Sequence, residues 1–334
     1  MRGFPNTHII FVAGFPRSGT TWFSNLINSH SKVIYRHELI GRNYSKFGED
    51  VFHSLKYNNG LTDQQYLSAM GVILDADVNT DKPPFFKKDM GLSHIPKLHH
   101  AMWLCAKLVP VFRPVYSKLF RVPSGREDFK VLLKETRSTT DMKSILTGLR
   151  VKNKLFLVRA PQGCIASHVS GINKGEMERP NKQAIKKWFA INSENEYIRT
   201  LNITPAYFES ITTVEFLAIS WRLYHLELFE IISVFPDSIV CFYEDFVETP
   251  VDETKKLFKK IKLAYSASVE KFILQSSGNQ TNQAIFKDSN SDFYSVYRSS
   301  SFKVDSWRDS LTSDEIELIN LHTMDVYDRL KLER

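Results

Sequence analysis

The chain has 334 residues, and 43% of them are hydrophobic and 24% charged, which is ordinary for a soluble globular protein with one large α/β domain or two smaller ones. Its net charge of +7 at pH 7 favours an anionic ligand, but the cations form no basic block, so a nucleic-acid partner is not indicated. The three cysteines are far apart, which argues against a disulfide framework and fits a reducing compartment.

The first predicted element follows almost directly after the amino terminus, in the sequence MRGFPNTHIIFVAG. Its apolar stretch is too short to span a membrane, and its flanks are wrong for a signal peptide. We therefore expect a soluble, cytoplasmic protein without a transmembrane segment.

Short apolar runs rich in β-branched and aromatic residues recur along the chain between helical stretches. They are HIIFVAGF (8–15), SKVIYR (31–36), FKVLLK (129–134), KLFLVR (154–159) and SIVCFYE (238–244). Continuous apolar runs indicate strands that are covered on both faces, as in a parallel sheet. The alternation predicts a doubly wound α/β fold, with a parallel sheet of about five strands flanked by helices and right-handed crossovers.

Two segments fit this alternation poorly. Residues 40–125 and 171–215 are polar, aromatic and punctuated by Gly and Pro, so we interpret them as irregular insertions at one edge of the sheet, where a substrate cleft forms. Neither a repeat nor a strong linker divides the chain, which predicts a single domain over residues 1–334. Near the end of the chain, Thr312 and Glu315 predict a capping box at the start of a helix.

The sequence GFPRSGTTW follows the first predicted strand and opens a helix. A strand, a Gly-rich turn and a helix together direct backbone N–H groups and a helix N-terminus at a bound anion. Gly14 and Gly19 allow the tight turn. Thr20 and Thr21 add hydroxyl donors, and Arg17 adds a permanently charged guanidinium.

Thr20 stands where phosphate-binding loops have the lysine that reaches the β- and γ-phosphates of a nucleoside triphosphate. A triphosphate and its metal are therefore poorly served by this loop. A ligand with a single 5′-phosphate that carries another group suits it better. The alternative is a tight glycine turn with an arginine at the surface.

The string PRSGTTW resembles the loop of sulfotransferases that use 3′-phosphoadenosine 5′-phosphosulfate, where it reads Pro-(Lys/Arg)-Ser-Gly-Thr-Thr-(Trp/Leu). The resemblance implies a P-loop-like sulfotransferase fold and this donor, with adenosine 3′,5′-bisphosphate as the product and no metal. It implies that the donor contacts Arg17, Ser18, Gly19, Thr20 and Thr21, and that Trp22 lies against the adenine. The alternative for an aromatic residue on a first helical turn is a place in the core.

A donor with a separate 3′-phosphate demands a second basic, hydroxyl-bearing site, and KLFLVRAPQGCIASHVSG supplies one. Arg159 closes a predicted strand, and Ser167 follows on the next helix. In the family, an Arg and a Ser at this spacing bind the 3′-phosphate. The usual RDPRD form is changed here, because Ala160 and Gln162 replace an Asp and an Arg. Taken alone, Arg159 would be interpreted as a surface salt-bridge residue.

Two further segments agree with the resemblance. FYEDF (242–246) is similar to the family's YEDL, which we interpret as structural support. RSSSFKVDSWRDSLTSDEI resembles the carboxy-terminal segment that covers the donor, which implies that Lys303 or Arg298 reaches the 3′-phosphate. A solvated surface charge is the alternative for each of them.

Sulfonyl transfer needs a base for the acceptor proton, and Glu38 is our candidate. It ends VIYRHE at the edge where a parallel sheet places active-site groups, and glycan and protein-tyrosine sulfotransferases resemble NSHSKVIYRHE with a Glu at this place. An unshifted glutamate is a weak base, so the role implies burial or a neighbouring acid. His37 is the nearest rival, and because adjacent strand residues point to opposite faces, we expect only one of the two to face the substrate. Remoter rivals are His94, His99 and His100; a structural salt bridge is the alternative for Glu38.

Positive charge for the sulfonyl group is expected from Arg17 and Lys134. A lysine at the end of the apolar run VLLK is costly unless an anion is nearby, and the tyrosine-protein and carbohydrate relatives have a matching Lys. Snorkelling of Lys134 to the surface is the alternative.

Three function classes remain open at this point. The first is a sulfotransferase acting on a hydroxyl of a carbohydrate, another polar metabolite or a natural product. The second is a kinase or nucleotide hydrolase with a degenerate phosphate loop, which Thr20 and the Arg159/Ser167 pair disfavour. The third is a non-catalytic glycan- or nucleotide-binding protein on the same fold, which the presence of Arg17, Glu38 and Lys134 disfavours.

Overall fold

The structure is a computed structural model, and it describes residues 8–42, 46–57, 60–122, 126, 128–136, 142–276 and 304–333. Its centre is a sheet of five parallel strands in the order β2-β3-β1-β4-β5. The strands are β1 (His8–Ala13), β2 (Val33–His37), β3 (Lys130–Glu135), β4 (Asn153–Val158) and β5 (Ile239–Phe242). The predicted five-stranded parallel sheet is confirmed, with each strand inside or overlapping its predicted run.

Helices fill the connections between the strands. In chain order they are α1 (Thr20–Asn28), α2 (Leu39–Arg42), α3 (Glu49–Tyr57), α4 (Asp63–Leu74), α5 (Pro96–Leu108), α6 (Arg113–Phe120), α7 (Met142–Gly148), α8 (Pro161–Asn173), α9 (Lys182–Ile191), α10 (Glu196–Thr200), α11 (Pro205–Ser210), α12 (Thr213–Val234), α13 (Tyr243–Glu248), α14 (Pro250–Lys260), α15 (Ala267–Ser276) and α16 (Ser313–Leu332). Within the described ranges, none of them is long and apolar enough to cross a bilayer.

The sheet is covered by helices on both faces, which explains why its strands are continuously apolar. Along β1, Phe11 and Ala13 belong to one hydrophobic cluster and Ile10 and Val12 to another. The first cluster includes side chains of α3, α4, α7, α12 and α16, and the second includes side chains of α1, α14 and α15.

The expectation that residues 40–125 and 171–215 are irregular is wrong. The first segment contains α3 to α6, and the second contains α9 to α11. Their aromatic residues pack into smaller clusters, around Trp103 and Tyr116 in the first segment and, together with side chains of α12, around Phe189 in the second. Pro96, Pro114 and Pro205, which were taken as marks of irregular chain, lie in the first turns of α5, α6 and α11. The interpretation of the chain as one domain stays a prediction.

The predicted capping box at the last helix is present. Thr312 Oγ1 accepts a hydrogen bond from the backbone N–H of Glu315 at 3.2 Å, and Glu315 Oε2 accepts one from the backbone N–H of Thr312 at 2.9 Å. The two bonds satisfy two of the donors that a helix start leaves without intrahelical partners.

A buried ion pair fastens the edge strand β2 to the helices beside it. Arg36 Nη1 donates to Asp81 Oδ1 at 2.7 Å, and both side chains are almost fully buried. The same guanidinium donates from Nε to the carbonyl of Ile73 and from Nη2 to that of Leu74, at the end of α4. Tyr116 of α6 donates its hydroxyl to Asp81 Oδ2 at 2.8 Å. Burial raises the pKa of Asp81, while Arg36 opposes that shift.

Removing one partner of this pair leaves the other charge buried and unpaired. We expect Asp81→Ala to lower the free energy of unfolding by about 3–5 kcal/mol, as for other broken buried ion pairs. Denaturant-induced unfolding at neutral pH measures this loss. Replacing both charges in Arg36→Met/Asp81→Leu is expected to cost less than Asp81→Ala. The control Glu209→Ala breaks the exposed pair with Lys182, and its midpoint is expected to stay unchanged; a loss equal to that of Asp81→Ala would contradict this account.

Candidate active site

At one position of the Gly-rich loop between β1 and α1, the backbone has a conformation that only glycine adopts without strain. Gly19 has a φ of 92°, in the left-handed region. An ideal Cβ at this position would lie 2.6 Å from Cδ2 of the Tyr243 ring. Arg17 also has a positive φ, 71°, and the Ser18 N–H donates to the carbonyl of Phe15 at 3.0 Å. The loop is therefore a tight turn held against the residue that follows β5.

The start of α1 offers hydrogen-bond donors at the end of this turn. Thr20 and Ser18 are buried and Thr21 is exposed. The Ser18 hydroxyl is fully buried and has no hydrogen-bond partner among the described residues. A buried, unsatisfied hydroxyl beside a helix N-terminus and a guanidinium fits an anionic group, which would accept its hydrogen bond.

The two anion-binding motifs predicted from the sequence lie side by side. Arg17 Nε donates to Ser167 Oγ at 3.2 Å, and Arg159 Nη1 donates to the backbone carbonyl of Arg17 at 3.0 Å. The Arg159 guanidinium lies 4.6 Å from the centroid of the Tyr243 ring. Arg159 follows β4 directly, and Ser167 lies on α8. These contacts join the β1 loop, the end of β4 and helix α8 into one cationic, hydroxyl-bearing surface.

The residues that depart from the family pattern have other partners. Gln162 donates to Asn320 Oδ1 of α16 at 2.6 Å, so it ties α8 to the last helix. The Ala160 N–H donates to Glu244 Oε1 at 3.0 Å. Glu244 belongs to the sequence FYEDF, and burial raises its pKa while the hydrogen bond from Ala160 opposes that shift. Glu244 thus stabilises the start of α8, as expected for a structural support.

At the other side of β1, Lys134 and Glu38 form a buried ion pair. Lys134 lies on β3 in register with His37 of β2 and Val12 of β1. Its Nζ donates to Glu38 Oε1 at 2.8 Å, and the side chains of Lys134 and Glu38 are only 4% and 10% exposed. The Thr136 hydroxyl donates to the same carboxylate oxygen at 2.7 Å. Lys134 does not snorkel to the surface.

The carboxylate of Glu38 is held in its charged form. Burial acts to raise the pKa of Glu38, but the charge and the hydrogen bond of Lys134 outweigh it, and His37 and Thr136 add to the lowering. The net pKa lies well below the usual glutamate range. Burial was predicted, but the stronger base that it implies is not present in this arrangement, because a cation lies against the carboxylate.

His37 and Glu38 lie together, against the expectation that they point to opposite faces. His37 ends β2, whereas Glu38 follows it with a φ of 48°, so strand alternation no longer applies. As a result His37 Nε2 lies 3.9 Å from Glu38 Oε2. On its other side, His37 Nδ1 is 2.7 Å from the Tyr35 hydroxyl, so the three side chains form a row.

Glu135 is a residue that the sequence analysis missed. It is buried, and its carboxylate accepts hydrogen bonds from the backbone N–H groups of Ile40 at 2.8 Å and Gly41 at 3.3 Å. Burial raises its pKa to about 7, with Glu38 adding to the rise and these N–H groups opposing it. Glu135 therefore fixes the chain immediately after Glu38. The sequence signal that could have identified Glu135 is its position directly after Lys134, at the end of an apolar strand.

Of the three remaining predicted donor contacts, only Trp22 lies within the described residues. Trp22 is buried in the core, and its Nε1 donates to Ser276 Oγ of α15 at 3.0 Å, which favours core packing over an adenine contact. Lys303 and Arg298 lie outside the described residues. Of the remoter histidines, His99 is stacked between Phe85 and Phe120, with ring centroids at 4.1 and 4.0 Å.

Metal binding has no preformed site in the parts of the chain listed above as described: His, Cys, Asp and Glu side chains there form no group of three or more that could hold an ion.

Comparison with known proteins gives one family match. The model of a family described as "Sulfotransferase family" matches residues 10–267. The chain matches none of the curated proteins. The match spans β1 to β5 and thus contains both motif regions and Glu38 and Lys134.

Several solved structures are similar to this chain. One is described as mouse sulfotransferase SULT7A1 complexed with PAP; it is 13% identical, with 96% of this chain and 85% of that chain covered and a TM-score of 0.47. The sulfotransferase domain of the Synechococcus PCC 7002 olefin synthase is 14% identical, with 95% of each chain covered and a TM-score of 0.44. Similarity at this level of identity and TM-score says nothing about substrate or mechanism. Membership in the family therefore rests on the match to the family model alone.

A methyl group on Gly19 is expected to disrupt the loop. Gly19→Ala adds both backbone strain and a clash with Tyr243, whereas the control Gly175→Ala adds backbone strain alone, because Gly175 has a φ of 72° and no atom within 4 Å of an added Cβ. We expect Gly19→Ala to lower the free energy of unfolding by at least about 1 kcal/mol more than the control, since overpacking adds about 1–3 kcal/mol. Equal losses in denaturant titrations would contradict the close approach of Tyr243.

The Lys134–Glu38 pair predicts a pH-dependent stability difference. A carboxylate with a lowered pKa stabilises the fold above the ordinary glutamate pKa, and this contribution is lost as the pH falls through the lowered value. In Lys134→Met, Glu38 stays desolvated without its counter-charge, so we expect a loss of about 3–5 kcal/mol at neutral pH. Without Lys134, burial raises the pKa of Glu38, so the loss relative to wild type is expected to shrink as the pH falls from neutral, because Glu38 takes up a proton in the variant while it stays charged in wild type.

Urea titrations of wild type, Lys134→Met and Glu38→Gln/Lys134→Met over this pH range provide the measurement. The double variant is expected to lose less stability at neutral pH than Lys134→Met, because no unpaired charge remains. A Lys134→Met deficit that is the same at acid and neutral pH would show that Glu38 does not depend on Lys134.

Proposed function

The chain belongs to the sulfotransferase family, and from this premise we propose that it transfers a sulfonyl group from 3′-phosphoadenosine 5′-phosphosulfate to a hydroxyl of a polar acceptor, with Glu38 as the general base. The observation that carries the proposal is the contact between the two anion-binding motifs, in which Arg17 of the loop meets Ser167 and Arg159. A ligand with phosphate groups at two positions is the kind of molecule that such a joined surface fits.

The residues near the loop fit a donor with a single 5′-phosphate carrying a sulfonyl group. The N-terminus of α1, the buried Ser18 hydroxyl and the Arg17 guanidinium would hold the 5′-phosphosulfate. Arg159 and Ser167 would hold the 3′-phosphate. When bound, the donor supplies an activated sulfonyl group that moves to the acceptor oxygen in an in-line displacement, with adenosine 3′,5′-bisphosphate leaving.

In this proposal, Lys134 and Glu38 are the catalytic residues. Lys134 lies on β3 beside the end of β1, from which the Gly-rich loop starts. Its ammonium would stabilise negative charge that develops on the sulfonyl and bridging oxygens. Glu38 Oε2, the oxygen without the Lys134 and Thr136 hydrogen bonds, is the atom that would accept the acceptor's proton.

The ion pair also sets the strength of this base. Glu38 is desolvated, and its pKa is low because of Lys134. If a bound anion also contacts the Lys134 ammonium, the ammonium interacts less strongly with Glu38. The pKa of the carboxylate then rises, and Glu38 becomes a stronger base. His37 lies beside Oε2 and contacts Tyr35, so it would orient the carboxylate, or serve as the base itself in the rival assignment.

The acceptor class is proposed from the composition of residues 40–125. The runs KKDMGLSHIPKLHH and WLCAKLVPVFRPVYSKLFR in this segment combine aromatic and cationic side chains, and aromatic faces suit sugars while cations suit carboxylated or sulfated acceptors. We therefore favour a carbohydrate, another polar metabolite or a natural product with a free hydroxyl. The absence of the phosphate-loop lysine, with Thr20 in its place, continues to disfavour a kinase.

Calorimetric titration distinguishes the donor class. We expect wild type to bind adenosine 3′,5′-bisphosphate more tightly than 5′-AMP or Mg-ATP, because Arg159 recognises the second phosphate. Arg159→Ala is expected to lose this preference, at a cost on the order of 1.5–3 kcal/mol for a hydrogen-bonded charged group. The control Arg179→Ala removes an exposed arginine of the α8–α9 connection and should bind as wild type does. Tighter binding of Mg-ATP, indifferent to Arg159, would overturn the proposal in favour of a kinase.

Turnover separates an enzyme from a binding protein on the same fold. Release of the bisphosphate from the sulfonyl donor is measured with a panel of polar hydroxyl compounds. Glu38→Gln is expected to bind the bisphosphate as wild type does but to turn over about 10²–10⁴-fold more slowly, the contribution typical of a general base. Unchanged turnover in Glu38→Gln together with a loss in His37→Ala would reassign the base to His37. Binding without turnover on any acceptor would favour the non-catalytic alternative.

A further inference from the structure

A helical hairpin beside β2 exposes an unusual amount of apolar surface. The hairpin comprises residues 92–121, with α5, the short turn Pro110–Phe112 and α6. Of the seventeen large apolar side chains that are exposed among the described residues, ten lie in it, between Leu92 and Leu119. Single exposed apolar residues are normal, but such a concentration marks an interaction surface.

The two helices of the hairpin are apolar on their outer as well as their inner faces. On α5, Trp103 and Ala106 are buried, while Leu98, Leu104 and Leu108 are exposed. On α6, Tyr116 and Phe120 are buried, while Val115 and Leu119 are exposed. A helix at the surface of a soluble protein normally has a polar outer face. The most exposed side chains, Leu108 at 76% and Val111 at 74%, lie where α5 ends and the turn begins.

The charge of this region has one sign. No Asp or Glu occurs from residue 90 to residue 126, whereas Lys and Arg occur six times there, so the segment carries most of the chain's net charge of +7. Lys97, Lys107 and Lys118 are exposed, and none of them forms an ion pair with an acidic side chain in the described ranges. Arg121, at the end of the hairpin, pairs with Asp75, but the three lysines of α5 and α6 remain without an acidic partner among the described residues.

We propose that the hairpin docks on the surface of an anionic phospholipid bilayer. Its outer apolar side chains would enter the headgroup boundary, and its lysines would contact lipid phosphates and carboxylates, as in helices that lie in the interface plane. A second copy of this chain is a poorer occupant, because a two-fold contact would bring the same lysines against each other. Exposed apolar side chains interspersed with unpaired lysines match the hydrocarbon boundary and the anionic headgroups of such a leaflet.

The hairpin is held rigidly enough to present this surface. The Trp103 indole N–H donates to the carbonyl of Val78 at 3.1 Å, and Tyr116 donates to Asp81, which pairs with Arg36 of β2. His99 of α5 is stacked on Phe120 of α6 with ring centroids 4.0 Å apart. Docking would therefore bring β2, the strand that ends beside Glu38, close to the membrane.

Cosedimentation with lipid vesicles tests the proposal in the full chain. Wild type is expected to bind vesicles of phosphatidylcholine and phosphatidylserine and to bind those of phosphatidylcholine alone weakly. Lys107→Glu/Lys118→Glu is expected to weaken binding at least about tenfold, because each cation near an anionic leaflet contributes to the affinity. The control Lys187→Glu/Lys271→Glu makes the same change in net charge at exposed positions elsewhere and is expected to bind as wild type does.

A second pair of variants tests the apolar contribution. Leu108→Asp/Val111→Asp is expected to lose vesicle binding, whereas Leu321→Asp/Leu332→Asp, at residues of α16 that are 74% and 87% exposed, is expected to keep it. Far-UV circular dichroism and denaturant-induced unfolding check that each variant is folded. Since all these side chains are exposed, neither pair removes core packing.

The position of the bound face is measured at Cys105, the one exposed cysteine among the three of the chain. Cys105 lies on α5 between Leu104 and Lys107, so an environment-sensitive fluorophore on it is expected to shift to the blue with anionic vesicles. Three results would each overturn the proposal. The first is that wild type binds vesicles equally with and without phosphatidylserine, and the second is that the hairpin variants bind as their controls do. The third is a stable dimer of the wild type that Leu108→Asp/Val111→Asp dissociates. None of these outcomes depends on the sulfonyl-transfer assignment.

Discussion

The buried pair of Lys134 and Glu38 is the interaction on which the proposed chemistry of this molecule depends. Burying either charge alone is expensive, and together they are stable only when further hydrogen bonds satisfy the remaining groups. Thr136 donates to the carboxylate, and His37 lies on its other side. Glu135 holds the backbone that follows Glu38. The end of β2 is therefore shaped around one carboxylate that Lys134 keeps charged.

The parallel sheet gives this pair its place relative to the anion-binding surface. All five strands run in one direction, so the residues that follow β1, β2, β3 and β4 meet at one edge. The loop after β1 and Arg159 after β4 supply cations and hydroxyls. Glu38, which follows β2, supplies the carboxylate, and Lys134, near the end of β3, supplies its counter-charge. The proposed division of roles, with donor binding on one side of β1 and proton transfer on the other, follows from the strand order. The hairpin with the exposed apolar surface extends from the β2 side.

The sequence analysis was successful where a local pattern has one physical cause. Continuous apolar runs predicted the five strands, and Thr312 with Glu315 predicted the last capping box. It was unsuccessful where a side chain's role depends on a distant partner. Arg36 is separated from Asp81 by 45 residues. The positive φ of Glu38 could not be predicted, because the residue is not a glycine. Helices of residues 40–125 were missed because Pro residues taken as marks of irregular chain, such as Pro96 and Pro114, lie in the first turns of α5 and α6.

The most direct test of this account is the protonation of Glu38 as a function of pH, with and without the sulfonyl donor. The infrared band of its protonated carboxyl group can be assigned by its disappearance in Glu38→Gln. The account predicts that in the free protein this band is absent throughout the usual glutamate range, because Lys134 keeps the pKa below it. With the donor bound, the band should appear at higher pH, as Lys134 is shared with the anion. A Glu38 that titrates in the ordinary range and is indifferent to the donor would contradict the account.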